Sequence, residues 1–229
     1  MPSALIIGDS HVHATAFGYR LEKKLKDAGW DVKRAGLGAT STASWTGGHP
    51  CVPKTNTCYY VKDLPKGTDL LLICLGTNDS ANANRGKLNL PKYAEKVAGR
   101  IVELAKTFGA KRTLWIMPPW QRGNKDWYKQ DAADILYTGA PLAEAQGVET
   151  FDSRPATKDL VMGGDGDGIH PGNKGGEAWA TAVMEQVNNP KPPKGSLDTS
   201  VAPSESSTIL LAGGVALIAG LLFWRLKKG

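Results

Sequence analysis

Two periodicities alternate along this chain. Short strand-like runs fall at residues 4–7, 31–34, 70–75, 113–117 and 148–151. The segments 11–28, 90–108, 127–146 and 174–187 repeat apolar residues at the three- and four-residue spacing of a helix with one buried face. The run Leu70-Leu71-Leu72-Ile73-Cys74-Leu75 has no polar interruption, as expected of a parallel strand buried on both faces. Gly29, Gly109 and Gly147 each follow a helical pattern where a C-terminal glycine belongs.

This alternation predicts an α/β fold, a three-layer α/β/α arrangement around a parallel sheet with ligand chemistry at the carboxyl ends of the strands. A flavodoxin-like order, 2-1-3-4-5, makes the first and third strands neighbours. The pattern stops near Asn188, which predicts a single domain over 1–188. Prolines 190, 192, 193 and 203, with several serines, then make 189–207 a flexible linker. From Thr208 to Trp224 the chain is uncharged and almost wholly apolar, and it closes on Arg225-Leu226-Lys227-Lys228. At about 1.5 Å per residue this stretch reaches roughly 26 Å, enough to enter a bilayer core with Arg225 snorkelling. Residues 208–226 therefore read as one membrane helix, with the lipid bilayer as a partner. Its basic end predicts a cytoplasmic C-terminus, while Met1-Pro2-Ser3 runs into the first strand with no export signal. Two routes fit: a tail anchor with the domain inside, or insertion into the membrane of a virus particle. No Leu-Pro-x-Thr-Gly precedes the tail, so sortase anchoring is not supported.

Chemistry-bearing residues gather where the strands end. Gly8-Asp9-Ser10 closes the first run, and Asp167-Gly168-Ile169-His170 lies far downstream. A serine hydroxyl is a poor nucleophile at neutral pH; an imidazole must take its proton and a carboxylate must hold the imidazole's tautomer. The spacing of Asp167 and His170 lets the carboxylate meet one ring nitrogen while the other faces Ser10. Asn78 follows the buried run in Gly76-Thr77-Asn78-Asp79, and Gly38 sits in a small-residue loop after the second strand. A side-chain amide and bare backbone N–H groups are the parts of an oxyanion hole. Asp9 and Asp79 are expected to brace their own turns.

These four segments, Gly8-Asp9-Ser10, Gly38, Gly76-x-Asn78-Asp79 and Asp167-x-x-His170, resemble the signature blocks of the SGNH (GDSL-type) hydrolases in order and rough spacing. The resemblance covers residues 4 to about 188 and departs from the longer Gly-Asp-Ser-Leu form by having His11 after the serine. It implies a serine esterase without cofactor or metal. Ser10 would be the nucleophile, His170 the base and Asp167 its orienting carboxylate, with Ser10, Gly38 and Asn78 as oxyanion donors.

Composition refines this reading. A net charge of +6 and pI near 9.2 owe much to lysines and arginine in the linker and tail. With no basic stripe carrying interleaved aromatics, a nucleic-acid partner is not expected. A flavin or nucleotide binder would suit the same scaffold, but neither G-x-G-x-x-G nor a Walker lysine is present. Among the three cysteines, Cys74 reads as a core residue. Cys51 and Cys58 flank a short loop that either closes a disulfide, implying an oxidising setting, or stays reduced; with His49 they fall short of the usual four zinc ligands. Trp45, Trp120 and Trp127, with Tyr59 and Tyr60, fall in loops expected at the rim, where rings stack on sugars. The sequence thus points to an esterase removing acyl groups, foremost O-acetyl, from a glycan such as peptidoglycan or another surface polysaccharide. The alternatives are a lipid esterase or thioesterase, and a non-catalytic tethered glycan-binding module. His11 and His13 are expected at the surface or at a helix start.

Overall fold

The computed structural model describes residues 1–52, 55–122, 128–158, 168–191 and 194–197. The first strand, β1 (Ser3–Gly8), runs into the short α1 (Ser10–His13), and α2 (Ala16–Asp27) returns to β2 (Asp31–Gly36). Next come α3 (Thr42–Thr46), a small hairpin of β3 (Cys51–Val52) and β4 (Thr57–Cys58), and then β5 (Leu70–Cys74). Helices α4 (Thr77–Arg85) and α5 (Leu90–Phe108) lead to β6 (Arg112–Ile116), and α6 (Gln130–Leu136) and α7 (Ala140–Glu144) lead to β7 (Glu149–Phe151). Helices α8 (Arg154–Thr157) and α9 (Asn173–Asn188) follow.

Five strands form one parallel sheet in the order β2-β1-β5-β6-β7, the predicted 2-1-3-4-5 order. Side-chain parity divides the core into two layers. Leu5, Ile7, Leu71, Ile73 and Trp115 face one layer, where α5 presents Val97, Ile101, Leu104 and Phe108 at helical spacing. Ala4, Ile6, Leu70, Leu72, Leu114 and Ile116 face the other, against Phe17, Leu21 and Leu25 of α2 and Trp179 and Val183 of α9. The uninterrupted apolar run of β5 follows directly, since alternate residues must satisfy two cores.

Helix α5 matches its predicted 90–108 span because both ends are coded locally. Asn89 accepts the Lys92 N–H at 3.2 Å, Pro91 occupies the first turn, and Gly109 closes the end at φ 60°. The predicted helix over 11–28 is instead broken at Ala14-Thr15. The Thr15 hydroxyl donates to the His11 carbonyl at 2.6 Å, and Thr15 itself is extended. The predicted 127–146 helix divides into α6 and α7 across a tight turn at 137–139, and Pro141 starts the second piece. Helix α4 was not expected; its Asn-rich sequence, Asn78, Asn82 and Asn84, carries little amphipathic signal.

Cys51 and Cys58 are bridged, with a Cα–Cα distance of 4.2 Å, and they face each other in the β3–β4 register. Cys74 is free and buried in β5. Residues 194–197 return to the domain: Leu197 packs against the α5-side core, and the Gly195 N–H donates to Glu144 O at 3.0 Å. This packing carries the domain edge past the Asn188 boundary that composition suggests. Among the described residues no helix is long and apolar enough to cross a membrane, and 208–226 lie outside them.

Candidate active site

Gly36, Gly8 and Cys74 share one row across β2, β1 and β5. The residues just beyond them, Gly38, Ser10 and Asn78, therefore leave the sheet along the same edge. Gly8 is required at this edge, since a Cβ there would lie 2.4 Å from Val12 Cγ2 and 2.7 Å from the Cys74 carbonyl oxygen. After β5, Gly76 turns the chain at φ 132°, a conformation closed to side-chain-bearing residues, with Pro118 close against it. That turn starts α4 and places Asn78 in its first turn.

Ser10 is partly exposed at the start of α1, and its Oγ lies 2.8 Å from Nε2 of His170. With the proton on Nδ1, Nε2 accepts the serine hydroxyl hydrogen, the geometry a general base requires. His170 arrives on the loop before α9, which the Arg122 N–H fixes by donating to Gly168 O at 2.8 Å. Behind it, His11 is fully buried, its ring 5.1 Å from His170 and 5.4 Å from Trp179, which stacks on Phe17 at 3.8 Å. His11 is thus a core wall and not a surface residue, whereas His13 is exposed. Asp167 lies outside the described residues.

Asn78 is buried and held at both ends. Its Nδ2 donates to Thr40 O at 3.0 Å and lies 3.5 Å from Asp9 Oδ2, and its Oδ1 accepts the Tyr128 hydroxyl at 3.1 Å. The Gly38 loop is stitched from below. The Thr40 hydroxyl donates to Leu37 O at 2.7 Å and accepts the Trp45 indole N–H at 3.1 Å. Gly38 itself is partly exposed, with open space where a Cβ would stand. Among the described residues neither the Ser10 nor the Gly38 N–H has a protein acceptor.

Two carboxyls lie beneath this edge. Asp9 is fully buried and caps α1 by accepting the His11 N–H at 3.0 Å, as expected of a turn brace. Burial, opposed by that hydrogen bond and assisted by the charge of Asp79, raises its pKa to about 7. Burial also raises Asp79. Asp79 also braces the neighbouring loop: it accepts the Thr42 N–H at 2.9 Å and the Thr42 hydroxyl at 2.7 Å. These bonds lock the Gly38 loop to the Asn78 turn.

The expected rim aromatics separate. Trp45 is fully buried in the α5-side core and cannot touch substrate; a large ring among small residues was drawn into the core by its apolar area. Trp120 is partly exposed, its N–H bonded to Thr157 Oγ1 at 2.8 Å and its ring 5.2 Å below the Lys158 ammonium. Trp127 lies outside the described residues. Tyr59 stacks near Trp45, and Tyr60 stacks on His49 at 4.0 Å. His49 lies beside the disulfide, whose sulfurs are bonded to each other. A groove of about 400 Å³ opens beside His170, between the starts of α2 and α9.

The site residues without a sequence signal are Thr40, Thr42, Tyr128 and Trp179. Each acts through a partner distant in the chain, as in the Tyr128 and Asn78 pair separated by 50 positions.

No family model matches the chain, and no curated protein matches it. Solved structures do share its fold. An arylesterase described as putative from Agrobacterium tumefaciens is 21% identical with a TM-score of 0.60, covering 82% of this chain and 99% of its own. A catalytic mutant of an acetylxylan esterase from Geobacillus stearothermophilus is 14% identical with a TM-score of 0.57, covering 81% and 94%. An α/β hydrolase enzyme from the metagenome of Lake Arreo, Spain, is 16% identical with a TM-score of 0.56, covering 82% and 95%. At these identities the likeness is one of fold.

Proposed function

We propose that this chain is a serine ester hydrolase of the SGNH type. The observation that carries the reading is the 2.8 Å contact of Ser10 Oγ with His170 Nε2 at the sheet edge that also presents Gly38 and Asn78. His170 takes the hydroxyl proton as Ser10 Oγ attacks the ester carbonyl carbon. The N–H groups of Ser10 and Gly38 and the Asn78 amide face the developing oxyanion. His170 then protonates the leaving alcohol, and a water that it deprotonates hydrolyses the acyl-enzyme. Asp167, three residues before His170, takes the carboxylate role.

The substrate we propose is an O-acetyl ester on a glycan such as peptidoglycan or another surface polysaccharide. The names of the fold neighbours, an acetylxylan esterase and an arylesterase, support short acyl esters. The part-exposed Trp120 supports a sugar. The apolar 208–226 segment, after its proline-rich linker, supports a membrane tether, which also keeps a lipid ester or thioester as the second substrate class. A non-catalytic glycan-binding module is the contrasting class, and hydrolysis of p-nitrophenyl acetate separates it from an enzyme.

Wild type and Ser10→Ala should therefore be compared on p-nitrophenyl acetate and under a fluorophosphonate label. Label on Ser10 and loss of hydrolysis in the variant are expected. Label elsewhere, or normal turnover by Ser10→Ala, would overturn the mechanism. Acetate release from acetylated glycans, set against release of acyl chains from lipids, decides the substrate class.

A further inference from the structure

We infer that Tyr128 is a positioning residue that orients and polarises the Asn78 amide for the oxyanion. The inference rests on the esterase reading above. A primary amide can sit either way round, and its partners decide which. One end of Asn78 meets the Thr40 carbonyl at 3.0 Å, an acceptor only, so that end is the NH₂. The opposite end is then the carbonyl, and the Tyr128 hydroxyl 3.1 Å away must donate to it. The flipped amide would set two carbonyl oxygens against each other at Thr40.

Among the described residues the remaining NH₂ hydrogen meets Asp9 Oδ2 at 3.5 Å, beyond the usual hydrogen-bond range. A developing oxyanion can claim it without breaking a good bond. Donation by Tyr128 into Oδ1 withdraws electron density from the amide nitrogen, so the same hydrogen becomes a stronger donor. Tyr128 lies on the segment after β6, whereas Asn78 follows β5. The oxyanion donor is therefore held jointly by the Gly38 loop, through Thr40, and by the segment that carries Tyr128.

The test uses the full chain and p-nitrophenyl acetate. Tyr128→Phe keeps the ring and removes the donor, and it should lower kcat about tenfold with KM within about twofold, the pattern of an interaction realised in the transition state. Tyr128→His keeps an N–H donor and should lose clearly less. In an Asn78→Ala background, Tyr128→Phe should change kcat by less than about twofold, because its route runs through Asn78. An unchanged kcat in Tyr128→Phe would overturn the inference, as would equal losses in the Phe and His variants or a full penalty without Asn78. Fluorophosphonate labelling of wild-type Ser10 is read in parallel. If the label misses Ser10, the esterase reading fails; if it hits Ser10 and the Tyr128 variants behave as wild type, only the positioning role fails.

Discussion

His170 Nε2 lies 2.8 Å from Ser10 Oγ although 160 positions separate them in the chain, and the packing of α9 on α2 closes that distance. Trp179 stacks on Phe17 at 3.8 Å and donates its indole N–H to Ser153 Oγ at 3.0 Å, and the Ser153 hydroxyl donates to Met117 O at 2.6 Å. Helix α9, and so the His170 loop that leads into it, is pinned to α2 and to the carboxyl end of β6. Trp179→Ala should cost about 3–5 kcal/mol of stability. Where the variant is still folded, kcat should fall at least about tenfold as His170 loses its anchor. Denaturant unfolding and turnover at low temperature check both effects, and a destabilised variant with normal kcat would separate His170 from this support.

Asn78→Ala should act on turnover and leave binding nearly untouched. Loss of one oxyanion donor costs about 100- to 1000-fold in kcat. Because the charge that Asn78 meets exists only in the transition state, KM should stay close to wild type. An unchanged kcat would leave Asn78 as a link between the Thr40 loop and Tyr128 with no catalytic share.

Asp9 ties stability to pH. Its pKa rises from 3.8 to about 7 on folding, chiefly through burial, so between those values the folded state holds a proton that the unfolded chain has released. The corresponding stability is fully present below about pH 4 and is lost as pH rises through about 7. Asp9→Asn removes this slope. Urea unfolding at pH 5 and pH 8 should show the variant gaining on wild type by roughly 2 kcal/mol at the higher pH. The same difference at both pH values would show that Asp9 does not carry the proton.

Trp45 distinguishes a core role from a rim role. Fully buried, with its N–H on Thr40, it should cost about 3–5 kcal/mol on change to Ala. KM for an acetylated glycan should remain within about threefold for the folded variant. A tenfold rise in KM at undiminished stability would return Trp45 to the substrate.

What the sequence made legible is what short-range chemistry encodes. The doubly buried run of β5 and the capped, amphipathic α5 are legible residue by residue, and the alternation of strands and helices implies the strand order that sets Ser10 beside Asn78. The break at Thr15 could not be read, because a threonine bonding back to a helical carbonyl looks like any other helical threonine until its own backbone turns extended. The burial of Trp45 is illegible for a related reason: glycine, serine and threonine neighbours mark a loop but not which way its aromatic ring faces. Tyr128 gave no signal at all, since its role exists only through a partner brought in by the sheet.

The tail separates two boundaries, one set by composition and one by packing. Leu197 packs against the core, Gly195 bonds to Glu144 O at 3.0 Å, and the Lys194 ammonium lies 3.5 Å from the Glu144 carboxylate. A chain ended after Leu197 should keep these contacts and melt like the domain in the full chain. One ended at Asn188 loses about 1–2 kcal/mol of apolar burial, which lowers its Tm by about 2–8 °C. Both should hydrolyse small soluble esters, since Ser10 and His170 precede either cut. The full chain should partition with membranes and need detergent, and its rate on an envelope substrate should exceed that of the truncated forms through effective concentration alone. Equal melting of the two truncations would detach residues 194–197 from the fold. A full chain that stays in buffer without detergent would remove the membrane tether.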